Sequence, residues 1–278
     1  MTIKTILAHL NDKRRVEALL EPTIQLAIQF DAHLIGLHTY AAVPAPPIKV
    51  PYASGVVGAI TAAERAQSEA IAETFARMTN KRPFTAEWQL LKVPHVDLAS
   101  VVIERGRTVD LIVAGQTDPD WDLSPLLDFP EHLALESGRP VLVVPHAGRF
   151  TNVVRNVVIA WKSARESARA VFDALPLLTR AANVHILQIV PKDQPQPGLG
   201  VDSSLATSLG RHGIKPTVHS LVVPEISVGD AILSRVADLD GDLLVMGAYG
   251  HSRMREVIFG GVTRHIARHM TVPTLFSH

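Results

Sequence analysis

The sequence predicts an α/β protein made of two tandem doubly wound domains, each with a five-stranded parallel sheet. Short apolar runs bounded by turn residues alternate with stretches of helical periodicity, which is typical of βαβ crossovers. The same order of segments begins again after the middle of the chain. The 278 residues are enough for two domains of ordinary size, and 47% of them are hydrophobic, so each half can bury a core.

The first domain is predicted to cover residues 1–147. Its strands are predicted at 5–10, 32–39, 86–93, 110–115 and 140–144, and its helices at 16–30, 59–78, 96–105 and 131–137. Prolines at 44, 46, 47 and 51 predict an irregular loop over 41–59, because proline removes a backbone donor and fixes φ. A second irregular segment, rich in aspartate, is predicted over 116–128.

The second domain is predicted to cover residues 153–278, after a linker at 147–156. Its strands are predicted at 156–161, 183–190, 217–223, 243–246 and 274–277, and its helices at 166–179, 203–212, 228–237 and 262–269. A proline-rich loop is predicted over 191–198.

The two halves align as an internal duplication. The segment 110–115 matches 242–247 at an offset of 132, and His132 with Pro140 matches His265 with Pro273 at an offset of 133. The opening strands lie 151 residues apart, and the longer proline loop of the first half absorbs the difference. In doubly wound sheets of this kind, ligands bind at the carboxyl ends of the strands.

A glycine pattern follows the fourth strand of the second half. Gly247 and Gly250 bracket a turn, and Gly260 and Gly261 open the amphipathic stretch at 262–269. Glycine lets a ligand approach the backbone closely, and free amides at a helix start favour an anion such as phosphate. The alternative is a plain strand-to-helix connection in which the glycines serve only the turn.

The spacing Gly247-x2-Gly250-x9-Gly260 resembles the nucleotide-binding segment of the universal stress protein family, in which a Ser or Thr follows the last glycine. Gly261 holds that position here, which is a departure, while Val262 and Thr263 fit the residues that come next. The resemblance extends over both halves. It implies strand order 3-2-1-4-5 in each of them.

The resemblance also implies that the second half binds ATP or a related nucleotide, with Mg²⁺. The implied nucleotide-binding residues lie at the ends of three strands and along the glycine stretch: Ala160, Trp161, Lys162, Val190, Met246, Gly247, Gly250, His251, Arg253, Gly260, Gly261, Val262 and Thr263.

Four of these residues have a second interpretation. Lys162 stands where the family has an Asp that holds the ribose; a lysine cannot accept hydrogen bonds from ribose hydroxyls, but it attracts phosphate. Trp161 stacks on an adenine or covers the apolar edge of the sheet. His251 and Arg253 either contact phosphates or belong to a solvated loop.

The first half lacks the glycine pattern, and we expect no nucleotide there. No second glycine follows Gly115 at the required spacing, and Asn11 stands at the position of the family's Asp. The aspartates of the following loop would repel phosphate; they are Asp118, Asp120, Asp122 and Asp128. The loop also lacks the glycine and the final glutamate of a calcium site, so it is interpreted as a solvated turn.

Composition narrows the remaining classes of function. The chain has no cysteine, which excludes disulfides and thiolate metal sites, and 27 basic residues balance 27 acidic ones, so no nucleic-acid footprint is present. There is no apolar run of membrane-spanning length and no signal-peptide pattern, which leads us to expect a cytoplasmic protein. His265 and His269 lie one helical turn apart, but without a neighbouring acidic residue in the sequence we interpret them as a helix surface and expect no metal site.

The sequence therefore predicts a non-enzymatic, tandem universal stress protein. Nucleotide occupancy would bias a conformation or a surface for an unidentified protein partner. Two alternatives stay open: slow hydrolysis of bound ATP, and a structural family member that binds no ligand. We find no catalytic constellation. The last strands of the two halves are predicted to face each other, so that one chain imitates a dimer, and a homodimer of the whole chain is a further expectation.

Overall fold

The computed structural model describes residues 2–41, 53–93, 97–120, 124, 129–191, 200–223, 226–248 and 261–278. It confirms the α/β class. Strands and helices alternate, and the strands form a single ten-stranded sheet.

The sheet consists of two five-stranded halves joined side by side. The strands are β1 Thr5–His9, β2 His33–Ala41, β3 Ala86–Val93, β4 Leu111–Gly115, β5 Val141–Val144, β6 Asn156–Ala160, β7 Asn183–Pro191, β8 Thr217–Val223, β9 Leu243–Gly247 and β10 Thr274–Ser277. Their order across the sheet is β3-β2-β1-β4-β5-β10-β9-β6-β7-β8. Each half therefore has the order 3-2-1-4-5, and all pairings within a half are parallel.

The halves meet at β5 and β10, the strands that were predicted to face each other. These two strands pair antiparallel, with Leu142 opposite Leu275 and Val141 opposite Phe276. Because the pairing uses backbone groups that would otherwise form exposed sheet edges, the open edges of the whole sheet are β3 and β8.

The described helices are α1 Val16–Phe30, α2 Ala53–Thr79, α3 Leu98–Gly106, α4 Pro130–Glu136, α5 Arg165–Asp173, α6 Leu175–Leu178, α7 Gly200–Arg211, α8 Val228–Asp238 and α9 Gly261–His269. Most lie within one or two residues of their predicted bounds.

Two helices differ from the prediction. Helix α2 begins at Ala53, six residues before its predicted start, because no proline lies between Pro51 and the end of the helix and the weak helix formers Gly55 and Gly58 do not stop it. The helix predicted over 166–179 is two helices, α5 and α6. The break falls at Ala174, where Pro176 in the first turn of α6 prevents a continuous ladder of hydrogen bonds.

The repeated aspartate before β4 and β9 has the same structural role in both halves. Asp110 accepts hydrogen bonds from the amides of Lys4 (2.7 Å) and Thr5 (2.9 Å). Asp242 accepts them from the amides that open β6, Arg155 and Asn156, both at 3.0 Å. The repeated aspartate therefore makes the same carboxylate-to-amide hydrogen bonds with the first strand of each half.

Apolar side chains cover both faces of the sheet, and each apolar layer continues across the junction of the halves. Leu142 and Leu275 belong to one layer, and Val141 and Phe276 to the other. The division at 1–147 and 153–278 stays a prediction.

Candidate functional site

The candidate site lies in the second half, at the carboxyl ends of β6 and β9. These strands pair in parallel with Ala160 opposite Met246, and the chain turns away in opposite directions on the two sides of this point, as at the ligand crevice of doubly wound sheets. Helix α5 begins just beyond β6, and α9 begins after the segment that follows β9.

Gly247, the first glycine of the motif, lies against the start of α5. A Cβ added at this position would come within 2.5 Å of the Glu166 carbonyl carbon and 2.6 Å of the Ser167 amide nitrogen. Those are backbone atoms, which cannot rotate aside as a side chain can. The structure thus gives Gly247 a role in helix–sheet packing that requires no ligand.

The backbone just after Gly247 is held by the last strand. The amide of Ala248 donates to Ser277 O at 2.8 Å, and the ring of His278 donates from Nδ1 to Ala248 O at 2.9 Å. The amide of Ala248, which is its only backbone donor, is therefore not available to a phosphate.

At the end of β6, Ala160 and Trp161 pack against the protein, whereas Lys162 is exposed to solvent. Ala160 and Trp161 are half-buried, and the indole packs against the apolar layer on its face of the sheet. Its Nε1 is buried without a hydrogen-bond partner among the described residues. This position fits the interpretation of Trp161 as a cover for the sheet edge. Lys162 is exposed, and its carbonyl accepts from Ala164 N in a tight turn that leads into α5.

The beginning of α9 contains three of the implied ligand residues. Gly261 is exposed, and a Cβ added there would meet no atom within 4 Å. Val262 is half-buried and Thr263 is buried. Thus Gly261 has open space around it, whereas the hydroxyl-bearing residue that the sequence does offer points away from open solvent.

The other implied residues lie in strands or outside the described residues. The side chain of Met246 is 6% exposed and belongs to the apolar layer under α9. Val190 lies in β7, one residue before the strand ends. Gly250, His251, Arg253 and Gly260 lie outside the described residues.

In the first half, side chains of the protein narrow the equivalent crevice to a small cavity. The guanidinium of Arg15 would lie 3.1 Å from a Cβ added at Gly115, and it donates to Gln116 O at 2.8 Å. Asn11 and Asp12 are buried beside it, and Asp12 binds Arg14 through a salt bridge of 2.7 Å. Arg15 thus takes up the space next to Gly115 and is held there by the backbone of Gln116.

Two buried histidines lie beneath that crevice. Burial lowers the pKa of His9 to about 3, and the neighbouring His38 lowers it further in the same direction. Burial also lowers the pKa of His38, although its Nδ1 donates to Leu10 O at 2.6 Å. Both rings are therefore neutral at physiological pH.

The structure gives His265 an acidic partner from a distant part of the chain. Its Nε2 lies 2.9 Å from Asp230 Oδ1, and the carboxylate comes from the start of α8, 35 residues earlier in the chain. Ser227 caps α8 and also binds Asp230. The Ser227–Asp230 pattern is visible in the sequence as a helix start, but its contact with α9 is not.

In the part of the chain that the structure describes, no three His, Cys, Asp or Glu side chains are grouped so as to hold a metal ion. None of its helices is both long enough and apolar enough to cross a membrane.

Comparison with known proteins agrees with this architecture. The model of the universal stress protein family matches residues 154–278. A universal stress protein from Synechocystis is 28% identical over 138 residues, which is 49% of this chain; the chain spans 46% of that relative's length.

Solved structures resemble the whole chain. A universal stress protein from Archaeoglobus fulgidus superposes with a TM-score of 0.71 at 16% identity, covering 99% of this chain and 96% of the other. A Pseudomonas aeruginosa protein of unknown function superposes with a TM-score of 0.61 at 12% identity, covering 99% and 92%. At these identities the likeness shows a shared fold. Together, these findings show that residues 154–278 match the universal stress protein family model and that the whole chain has the fold of a solved universal stress protein.

Proposed function

We propose that the second half binds ATP or a related nucleotide, together with Mg²⁺, through the Gly247-x2-Gly250-x9-Gly260 loop. In this proposal the protein is a non-enzymatic, cytoplasmic stress-response module. Occupancy of the site changes the surface that it offers to a protein partner, because a ligand shifts a conformational equilibrium by its differential affinity for the two states.

The observation that carries the proposal is the placement of the loop's two ends. The chain leaves the sheet at Ala248, whose backbone is fixed to β10, and returns at Gly261 as the first residue of α9. The intervening residues thus connect the carboxyl end of a parallel strand to a helix N-terminus. Amides at such an N-terminus attract phosphate, and glycines allow close approach.

The distribution of charge supports an anionic ligand in this half. Residues 1–147 carry 13 Lys and Arg against 17 Asp and Glu, whereas residues 148–278 carry 14 against 10. The halves therefore have opposite net charge although the whole chain is neutral. A positive half attracts a polyphosphate and raises its rate of association.

The narrow crevice of the first half supports one nucleotide for each chain. Arg15 lies next to Gly115, whereas the nearest described atoms around Gly247, the corresponding glycine of the second half, belong to the backbone of α5. We propose that the first half has a supporting role and does not bind nucleotide.

A second candidate function is that of a structural member of the family without ligand. It is favoured by the packed indole of Trp161 and by the hydrogen bonds that occupy both polar groups of Ala248. Purified protein distinguishes the two candidates: after denaturation, its supernatant contains ATP or ADP only if the site binds nucleotide. Turnover of added ATP would then indicate hydrolysis.

Gly250→Glu is expected to weaken ATP binding at least about tenfold, because the new carboxylate lies in the proposed phosphate loop and repels the ligand; tenfold corresponds to about 1.4 kcal/mol. Titration calorimetry with Mg-ATP measures the change. The matched control is Gly210→Glu, which adds the same charge on α7, where an added Cβ meets no atom within 4 Å. Equal affinities of the two variants would contradict the proposed site.

Gly261→Ser is expected to tighten ATP binding about tenfold. The position has room for a side chain, and a hydroxyl at the first residue of α9 can donate to a phosphate in a charge-assisted hydrogen bond. Gly261→Ala is the control, since it adds the same Cβ without the hydroxyl. If serine and alanine give the same dissociation constant, phosphate does not contact this position.

A further inference from the structure

Gln116 connects the two halves of the protein at a buried position. It follows β4 and is 1% exposed. Its side-chain Nε2 donates to Ala267 O in α9 at 2.9 Å, across a separation of 151 residues, and its Oε1 accepts from His146 N at 3.0 Å. Its backbone donates to Val144 O and accepts from Arg15, both at 2.8 Å.

The hydrogen bond from Gln116 satisfies the carbonyl of Ala267 in the last turn of α9. The last carbonyls of a helix have no partner within the helix, and they need an outside donor when they are buried. The amide of Met270 donates to the carbonyl of Ile266, and the side chain of Gln116 donates to the next carbonyl, that of Ala267. A side chain of the first half therefore holds the far end of the helix whose first residue is Gly261.

The contact made by Gln116 has no counterpart at the matching position of the second half. Ala248 is the counterpart of Gln116 in the second half, since its amide binds Ser277 O at 2.8 Å just as that of Gln116 binds Val144 O. A methyl group cannot make a hydrogen bond to α4. Through Gln116 the half without the glycine loop thus supports α9 of the half that has it. Support in the other direction comes from a different place, where the guanidinium of Arg180 donates to Gln29 O in the last turn of α1.

We propose that Gln116 is a positioning residue that sets the orientation of α9 and thereby of the nucleotide loop. Arg15 belongs to the same support, because it binds the carbonyl of Gln116 from the crevice of the first half. The effect on binding rests on the proposed function, whereas the effect on α9 does not.

The test compares Gln116→Met with Val113→Ala. Methionine keeps the length of the side chain but removes its donor and acceptor, leaving Ala267 O and His146 N without their partner. Val113 is buried in β4, the strand that precedes Gln116, and packs in the apolar layer on the face of the sheet opposite α9, so its truncation destabilises the core without touching α9. Hydrogen exchange of α9 amides and the dissociation constant of Mg-ATP are measured for both variants and the wild type.

Gln116→Met is expected to speed exchange in α9 about tenfold and to weaken Mg-ATP binding about three- to tenfold, with both quantities unchanged in Val113→Ala. Unchanged exchange in Gln116→Met, or equal changes in both variants, would overturn the positioning role. Normal ATP affinity in Gln116→Met would overturn its link to the site. If the wild type binds no ATP, the proposed function fails, and the exchange in α9 alone then supports or overturns the role of Gln116.

Discussion

Gly247→Ala is expected to lower the free energy of unfolding by about 3 kcal/mol, the upper part of the range for an overpacked core position. The added Cβ would lie 2.5 Å from the Glu166 carbonyl carbon and 2.7 Å from the Glu166 carbonyl oxygen. Because these atoms belong to the first turn of α5, relief requires the helix to move away from β9. A loss of this size corresponds to a fall in Tm of roughly 6–12 °C for a chain of this length class.

Urea unfolding followed by circular dichroism measures the effect, and Gly261→Ala is the matched control. Both variants change a glycine of the same motif by one methyl group, but the space around Gly261 is open. The control is expected to stay within about 0.5 kcal/mol of the wild type. Equal stability of the two variants would show that α5 does not approach Gly247 as described.

A loss of stability in Gly247→Ala would also show that packing against α5 requires glycine at this position of the motif. The sequence singled out Gly247 because a ligand can approach glycine closely, and the atoms that approach it in the structure are those of α5. The sequence shows that position 247 is a glycine, and the lack of a side chain there leaves room for a close neighbour. It does not show which neighbour requires the space, because that neighbour is 80 residues away in the chain.

The fold was predictable to a large extent because its signals are local. The apolar run 243–246 and the helical periodicity of 16–30 each lie within one segment, and the structure has a strand and a helix there. The repeat of 110–115 at 242–247 predicted two similar halves. The strand order came from the family resemblance, and the structure has that order in both halves.

The contacts that the sequence did not reveal join distant segments. Gln116 reaches Ala267 over 151 residues, and His265 meets Asp230 from the start of another helix. Arg15 was not singled out, because nothing in a helix start predicts that its side chain turns back over Gly115. Such contacts depend on how helices pack on the sheet, and no periodicity in the chain encodes that packing.

The buried histidines of the first half give the protein a pH dependence whose sign is set by burial. His9 is 2% exposed, its ring lies 5.0 Å from that of Phe129, and its pKa is lowered to about 3. The unfolded chain binds a proton near pH 6.5, whereas the folded protein resists protonation until much lower pH. Stability from this group is therefore fully present above pH 6.5 and is lost as the pH falls towards 3.

The free energy of unfolding is accordingly expected to fall by about 2 kcal/mol between pH 6.5 and 5 through His9 alone, at about 1.4 kcal/mol per pH unit. His38, whose pKa burial also lowers, adds to the loss with the same sign. Urea unfolding at pH 7.5, 6.5 and 5 measures the slope, in a range where most carboxylates are still ionised. His9→Leu removes the titrating ring while keeping an apolar group beside Phe129, so its stability is expected to depend less steeply on pH. Parallel curves for this variant and the wild type would mean that His9 is protonated as readily in the folded protein as in the unfolded chain.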